Sequence, residues 1–199
     1  GKTPPCAQAL IDAGVARVVY AIDDPDKRVD GRGAELLGAA GIKVESGILA
    51  DEVRQDQIGF LLSETASRPM VTLKLAISAN GFMRTLPNED KWITGPLSRH
   101  MGHKLRAAHD AIITGSGTLR EDDPSLDCRL PGLGAASPMP VVMGKSDIPA
   151  DSRLAQRAKK KTLVHYKNET PPAALQDLAA HGMTRSMLEC GPTLAAAFL

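Results

Sequence analysis

One stretch near the middle of the chain constrains the fold most: a short apolar run, residues 111–114, that leads directly into Gly115-Ser116-Gly117-Thr118. The apolar run is typical of a buried strand, and the glycines allow a tight turn into a helical segment. This order predicts an open α/β sheet with free backbone amides at the carboxyl end of a strand, where such sheets bind ligands. Gly-x-Gly also occurs in plain turns, and the third glycine of the dinucleotide fingerprint is absent, so this stretch alone leaves nucleotide binding open.

The composition of the 199 residues is that of a globular protein and argues against several classes of function. Hydrophobic residues make up 43% and charged residues 24%, with a formal net charge of +1. This balance gives no reason to expect a nucleic-acid or membrane partner. No apolar run is long enough to span a membrane and no signal-peptide pattern is present, so we expect a cytoplasmic location. The three cysteines are far apart, which argues against a disulfide framework.

Strands and helices alternate along the chain, which predicts two α/β units with mainly parallel sheets. In the first, 15–22 and 42–45 are expected strands, and 6–13, 34–40 and 49–65 are expected helices. Pro69 resists helix continuation, so we place the domain boundary there, giving domains at 1–67 and 68–199. The second has expected strands at 70–78, 111–114, 141–143, 162–165 and 186–189, expected helices at 96–108 and 172–181, and polar, basic sequence between 143 and 162.

Two of these strands run into glycine turns, one at Gly115 and one at Gly191. The carboxyl ends of parallel strands share one edge of a sheet, so we expect the two turns to lie at the same edge. Their joint occurrence favours phosphate binding more strongly than either turn alone.

Lys74 interrupts an apolar strand, and Glu189 ends another. An unpaired ammonium among apolar neighbours is costly. Lys74 therefore either extends to solvent from an edge strand or meets a carboxylate or an acidic substrate group. Glu189 is the obvious counterpart, because a lysine and a glutamate at adjacent strand ends can orient a substrate and move a proton.

Three further side chains have both a structural and a functional interpretation. Trp92, the only tryptophan, is either a core residue or a contact for a flat ring. Arg106 and Arg129 are either solvated or form a bidentate clamp for a substrate phosphate.

The histidines and the first cysteine do not form a recognisable metal site in the sequence. His100, His103 and His109 lack the spacing of a zinc motif, and we expect them at the surface. A lone cysteine such as Cys6 is usually a small buried hydrophobe. As a zinc ligand it would need partners that this chain does not contain.

The chain resembles the family of bifunctional riboflavin-biosynthesis deaminase-reductases in five motifs, which recur in the family's order. They are Gly-Lys-Thr-Pro-Pro-Cys at 1–6, Thr-Leu-Lys-Leu-Ala-Ile-Ser at 72–78, Lys-Trp-Ile-Thr at 91–94, Gly-Ser-Gly-Thr-Leu-Arg-Glu-Asp-Asp-Pro at 115–124 and Glu-Cys-Gly-Pro-Thr-Leu at 189–194. The resemblance implies that 1–67 is the C-terminal part of a cytidine-deaminase-like domain. It also implies that 68–199 is a dihydrofolate-reductase-like domain with a mainly parallel sheet, and that the chain is truncated at both ends.

For the first domain, the resemblance implies a zinc-dependent pyrimidine deaminase. Cys6 matches one zinc ligand of the family, and the other ligands would precede Gly1. We therefore expect the zinc site to be incomplete and the deaminase activity to be absent in this chain.

For the second domain, the resemblance implies NADPH-dependent reduction of the ribosyl group of 5-amino-6-(5-phosphoribosylamino)uracil to ribityl. The partner is then a small phosphorylated pyrimidine, and the protein is expected to be a homo-oligomer. The implied NADPH contacts are Ala76, Trp92, Thr118, Asp122, Gly191, Pro192 and Thr193. The implied substrate contacts are Asp90, Arg106, Leu126, Arg129 and Glu189. The catalytic candidates are Lys74 and Glu189, with Asp122 as a third.

Three positions depart from the family pattern: Asn80 stands for Asp, Asp90 for Ser and Cys190 for Gly. Asp90 would repel a substrate phosphate, and Cys190 would narrow the phosphate loop. Two alternatives remain open from the sequence. One is a dihydrofolate-reductase-like oxidoreductase that acts on another carbonyl or imine, and the other is a remnant that binds nucleotide without turnover.

Overall fold

The computed structural model describes residues 6–26, 31–83, 92–159 and 162–199. The chain divides into two compact units, Gly1–Ala66 and Ser67–Leu199. Among the described helices, none has the length and apolar character needed to cross a membrane.

The first unit is built on two parallel strands, β1 (Arg17–Tyr20) and β2 (Lys43–Ser46). Helices α1 (Cys6–Asp12) and α2 (Arg32–Ala39) contribute to a small core that contains Ala7, Leu37 and Ile42. Helices α3 (Ala50–Asp56) and α4 (Ile58–Ala66) follow β2 and complete the first unit.

The single helix predicted at 49–65 is wrong, because the helix ends before Gln57 and a second one begins at Ile58. Gln57 caps α3 by donating its N–H to the Val53 carbonyl at 2.9 Å. Its own carbonyl then accepts the N–H of Leu61 at 3.0 Å, which starts the hydrogen bonding of α4.

The second unit contains a five-stranded sheet in the order β3-β7-β4-β5-β6, with every neighbouring pair parallel. The strands are β3 (Met70–Leu73), β4 (Ala111–Gly115), β5 (Met139–Met143), β6 (Val164–Tyr166) and β7 (Arg185–Leu188). The helices are α5 (Pro96–Ala107), α6 (Ser116–Asp122), α7 (Arg153–Ala158), α8 (Pro171–Ala180) and α9 (Pro192–Phe198), with a 3₁₀ turn at Gly134–Ala136. The prediction of an α/β unit with a parallel sheet is confirmed.

Both faces of this sheet are buried, as the apolar run in β4 requires. Ile113 packs on one face with residues of α8 such as Leu178, whereas its neighbour Ile112 packs on the other face with Leu119 and Leu154. The alternation follows from the two-residue period of a strand.

One sequence expectation in this unit is wrong, and one helix was not predicted. Strand β3 ends at Leu73 rather than at residue 78, because its partner strand β7 ends at Leu188. Beyond Leu73, one further hydrogen bond joins the two strands, from the Lys74 N–H to the Leu188 carbonyl at 3.0 Å. The polar sequence between 143 and 162 contains α7, which Ser152 caps by accepting the N–H of Ala155 at 3.2 Å. Serine before an amphipathic run is an N-cap signal that could have revealed this helix.

Candidate functional site

The carboxyl ends of β3, β7 and β4 lie side by side and bring three predicted features to one edge of the sheet. Lys74 follows β3 and Glu189 follows β7. The N–H of Glu189 donates to the Ile113 carbonyl of β4 at 2.9 Å, which fixes the end of β7 beside the glycine turn at Gly115. The predicted meeting of the Gly115 and Gly191 turns at one sheet edge is confirmed.

Glu189 is the centre of a charged cluster at this edge. Its Oε1 lies 3.4 Å from the Lys74 ammonium. Arg106, on α5, donates through Nε to Oε2 at 3.0 Å and through Nη2 to both carboxylate oxygens at 3.0 and 2.9 Å. The side chain of Arg106 is 13% exposed, whereas those of Glu189 and Lys74 are 22% and 31% exposed. A small polar ligand can therefore reach Glu189 and Lys74, while Arg106 stays mostly covered.

Arg106 also connects this cluster to the loop after α6. Its third nitrogen, Nη1, donates to the Asp127 carbonyl at 3.0 Å. All three guanidinium nitrogens are therefore engaged, two by Glu189 and one by the loop.

Arg129 is itself part of this loop and is more exposed than Arg106. Its guanidinium is 3.8 Å from the Asp127 carboxylate, and its Nη2 is 3.4 Å from Nε2 of His103. The Nδ1 atom of His103 is 3.2 Å from the Asp127 carbonyl, which is the same oxygen that Arg106 contacts. Both predicted phosphate-binding arginines thus interact with Asp127, Arg106 with its carbonyl and Arg129 with its carboxylate.

These contacts shift the pKa values of two groups. Burial, then the charges of Arg106 and Arg129, lower the pKa of His103. Burial alone would raise the pKa of Asp127, but the Ser125 hydroxyl and the charge of Arg129 outweigh it and leave that pKa below its usual value. Both shifts favour a neutral His103 imidazole and an ionised Asp127 carboxylate at neutral pH.

The glycine turns pack closely against each other. The Gly191 N–H donates to Oγ1 of Thr118 at 3.3 Å, which links the turn after β7 to the first turn of α6. At Gly144, after β5, the φ angle is +131° and a Cβ would lie 2.3 Å from Oγ of Ser116. Only glycine fits there, because a side chain would meet a neighbouring turn as well as an unfavourable backbone angle.

The other predicted cofactor contacts are spread along the same unit. Trp92 is 54% exposed, and the guanidinium carbon of Arg99 lies 4.9 Å from its ring centroid, a cation–π contact. Asp122 is exposed at the end of α6, Ala76 is half-buried, and Pro192 and Thr193 are exposed at the start of α9. The predicted substrate contact Asp90 lies outside the described residues.

Leu126 and Cys190 are buried. Leu126 is 2% exposed and packs in the core, so only its backbone can meet a ligand. Cys190 also packs in the core, so its thiol does not narrow the neighbouring glycine turn in the way expected. Burial, with a smaller effect of the Glu189 charge, raises the pKa of this thiol to about 11, so it is neutral at pH 7.

Sequence reasoning missed two side chains in this unit. His109, expected at the surface, is 7% exposed and contacts the Leu105 carbonyl at 2.6 Å and Oγ1 of Thr72 at 2.8 Å. It connects α5 to β3. Arg157, on the unpredicted α7, donates to the backbone of the loop that carries Arg129.

Two cavities in the described parts of the chain lie away from the charged cluster. One of about 460 Å³ lies at the amino ends of the strands and is lined by residues such as Asp110 and Met139, with none of the predicted site residues. Another, of about 210 Å³, lies within the first unit and is lined by Cys6, Tyr20 and Asp23 among others. The predicted site lines neither of these two cavities, and its assignment rests on the chemistry of its partly exposed side chains.

Cys6, the predicted zinc ligand, is exposed. Across the described parts of the chain, no three His, Cys, Asp or Glu side chains come together as a metal site. The described residues therefore do not form a complete zinc centre.

Comparison with known proteins identifies the family. The family model described as "RibD C-terminal domain" matches residues 69–199. The chain belongs to the RibD family of riboflavin biosynthesis. It is 40% identical to the riboflavin biosynthesis protein RibD of Mycobacterium tuberculosis over 202 residues, which cover 100% of this chain and 58% of that protein. It is 44% identical to RibD of Escherichia coli over 129 residues, which cover 65% of this chain and 35% of that protein.

Solved RibD structures have the same fold. The structure of RibD from Acinetobacter baumannii matches with a TM-score of 0.86 and 32% identity, over 100% of this chain and 61% of that one. The structure described as a diaminohydroxyphosphoribosylaminopyrimidine deaminase/5-amino-6-(5-phosphoribosylamino)uracil reductase from Thermotoga maritima matches with a TM-score of 0.87 and 28% identity, over 100% and 60%. The chain thus spans about three fifths of the RibD proteins that it matches along its whole length.

Proposed function

We propose that the second unit is an NADPH-dependent reductase that converts the ribosyl group of 5-amino-6-(5-phosphoribosylamino)uracil to ribityl. The observation that carries this proposal is the cluster of Lys74, Glu189 and Arg106 beside two glycine turns at the carboxyl edge of the sheet. Open α/β sheets bind their ligands at this edge. Membership of the RibD family supports the choice of substrate, because the Thermotoga maritima relative is described as this reductase.

The residues at the rim fit a dinucleotide by their donor chemistry. The hydroxyls of Thr118 and Thr193 and the amides of the Gly191 turn supply neutral donors for phosphate oxygens, and the exposed ring of Trp92 suits a flat ring. Gly191 N–H already donates to Thr118, so one of these donors is exchanged when a phosphate binds. We assign Ala76, Pro192 and Asp122 to the same binding surface. When bound, NADPH supplies the hydride.

Lys74 and Glu189 are the groups that we place at the reacting sugar. The ammonium of Lys74 is the proton donor of the pair, and it faces an oxygen or nitrogen of the opened ribosyl group. Glu189 holds that ammonium through Oε1 and is itself held by Arg106, which donates to both carboxylate oxygens. A carboxylate that is fixed by Arg106 keeps the lysine in one orientation, and orientation is a large part of catalysis.

Arg129 is the better placed of the two arginines for the substrate phosphate. Its side chain is 55% exposed, whereas that of Arg106 is 13% exposed and has all its nitrogens engaged. A phosphate contact by Arg106 requires the loss of one existing partner. Leu126 can contribute through its backbone, and Asp90 remains a proposed substrate contact.

We propose that the first unit is the C-terminal part of a cytidine-deaminase-like domain, with Cys6 as a ligand of a zinc site completed by residues of that domain outside this sequence. This chain by itself is then without deaminase activity. We also propose that the protein is a cytoplasmic homo-oligomer.

The proposal is tested by following NADPH absorbance with two substrates, the phosphoribosylamino-uracil and its dephosphorylated analogue. We expect oxidation of NADPH with the first and a much higher KM for the second. Quenching of Trp92 fluorescence by NADPH measures coenzyme binding separately. Turnover that is indifferent to the phosphate would point to another carbonyl or imine substrate, and coenzyme binding without turnover would contradict the reductase assignment.

A further inference from the structure

The loop at residues 125–129, here called the arginine loop, is held by its backbone carbonyls. Arg157 donates through Nη1 to the Ser125 carbonyl at 2.9 Å and to the Leu126 carbonyl at 2.6 Å. Arg106 donates through Nη1 to the next carbonyl, that of Asp127, at 3.0 Å. Three consecutive carbonyls of the loop are thus bound by guanidinium groups from two helices, α7 and α5.

Arg157 also fixes the loop to the sheet. Its Nη2 donates to the carbonyl of Pro138, the residue before β5. One planar side chain therefore joins the arginine loop to the start of a central strand. Arginine suits this role because its guanidinium presents five donors in a fixed fork.

The backbone of the arginine loop needs such support. Leu126 has a φ angle of +53°, a left-handed conformation that is unfavourable for a residue with a Cβ. Its side chain is buried in the same core as Leu119 and Leu154, and Arg157 binds its carbonyl. The side chain and the carbonyl together fix the direction in which the chain continues to Arg129.

Arg157 is itself partly buried, and its contacts offset this burial. Burial lowers the pKa of its guanidinium, which nevertheless stays charged at neutral pH, and the nearby Asp127 carboxylate opposes the shift. A buried cation is stable only when its donors are satisfied. Among the described residues, the guanidinium of Arg157 donates its hydrogen bonds to backbone carbonyl oxygens, and these bonds hold the backbone of the arginine loop in place.

We propose that Arg157 is a positioning residue for the substrate phosphate. It holds the arginine loop in the one conformation that directs Arg129 toward the phosphate, and it does not touch the substrate itself. This inference rests on the function proposed above for the same site.

The test uses Arg157→Met and Arg157→Lys in the full-length protein, with Arg153→Met as the matched control. Arg153 is on the same helix, but its side chain is 70% exposed and pairs with Asp123 at 3.6 Å. For Arg157→Met we expect KM for the phosphorylated substrate to rise about tenfold or more, with kcat within about threefold and KM for the dephosphorylated analogue unchanged. Arg157→Lys keeps the charge without the fork and should fall between wild type and Met. The control should match wild type.

A double-mutant cycle with Arg129→Gln separates positioning from a general loss of structure. If Arg157 acts through Arg129, then Arg157→Lys has little further effect on KM once Arg129 is replaced. Additive effects, or equal losses on both substrates, would overturn the inference. If Arg157→Met does not fold, the cycle with Arg157→Lys gives the same answer.

A readout without turnover distinguishes this inference from the proposed function. Wild-type protein that oxidises NADPH with neither substrate would refute the function. In that case amide hydrogen exchange still decides on Arg157, because exchange at residues 126–129 should be faster in Arg157→Lys than in wild type or Arg153→Met. Unchanged exchange there would refute the positioning role.

Discussion

Replacing Glu189 by Gln tests the centre of the site, because it removes one negative charge and changes the shape of the side chain very little. In the structure the carboxylate contacts Arg106 through both oxygens, at 2.9 and 3.0 Å, and Lys74 at 3.4 Å. A glutamine keeps one oxygen and turns an amide toward the remaining donors. The charged cluster then contains two cations and no anion.

The expected loss of stability is moderate. A hydrogen bond to a charged group contributes about 1.5–3 kcal/mol, and at least one such bond to Arg106 is lost. The side chains of Glu189 and Lys74 are partly exposed, at 22% and 31%, so solvent screening reduces the effect. We therefore expect the free energy of unfolding to fall by about 2 kcal/mol.

The expected loss of activity is much larger. Proton transfer by a positioned group contributes about 10²- to 10⁴-fold to a rate, and Glu189→Gln leaves Lys74 without its anchor. Steady-state turnover of the phosphorylated substrate should fall by at least about 100-fold, while denaturant unfolding shows only the moderate change above.

Glu169→Gln is the matched control, since Glu169 is exposed outside the site, and it should change neither quantity. A Glu189→Gln variant with normal turnover would refute the role of the carboxylate, and a loss of activity that merely follows the loss of folded protein would refute the separation of catalysis from stability.

Three further predictions concern stability and metal content. In a denaturant titration, Gly144→Ala should lower the free energy of unfolding by about 2–4 kcal/mol. The reason is that a Cβ at this φ of +131° would lie 2.3 Å from the Ser116 hydroxyl oxygen. Gly102→Ala, in open space on α5, is the control and should raise the free energy of unfolding by about 0.5–1 kcal/mol. The pKa of His103 is lowered in the folded state. As the pH falls below about 6.5, this histidine is therefore protonated in the unfolded chain before it is protonated in the folded protein. Stability should therefore fall as the pH decreases from about 6.5 through the folded pKa, and His103→Asn should flatten this part of the profile. Metal analysis should find well below one zinc per chain, and a full equivalent abolished by Cys6→Ser would contradict the incomplete site.

The sequence alone predicts the architecture of the second unit, because the patterns that decide it are local. The apolar run at 111–114 becomes β4, and the glycines after it form the expected turn into α6. Parallel strands end at a common edge, so the sequence could offer Glu189 as a counterpart of Lys74, although it left open whether Lys74 instead extends to solvent.

The tertiary structure decides the contacts between segments that are distant in the sequence. No local pattern shows that β7 lies between β3 and β4, and this position is what ends β3 early. Arg106 and Glu189 are 83 residues apart, and their two-point contact depends on how α5 packs on the sheet. Arg157 was missed for the same reason: its carbonyl partners lie 19 to 32 residues away, and backbone carbonyls look the same in every sequence. Local backbone preferences thus determine the strands and turns, whereas packing alone determines which charged groups share the site.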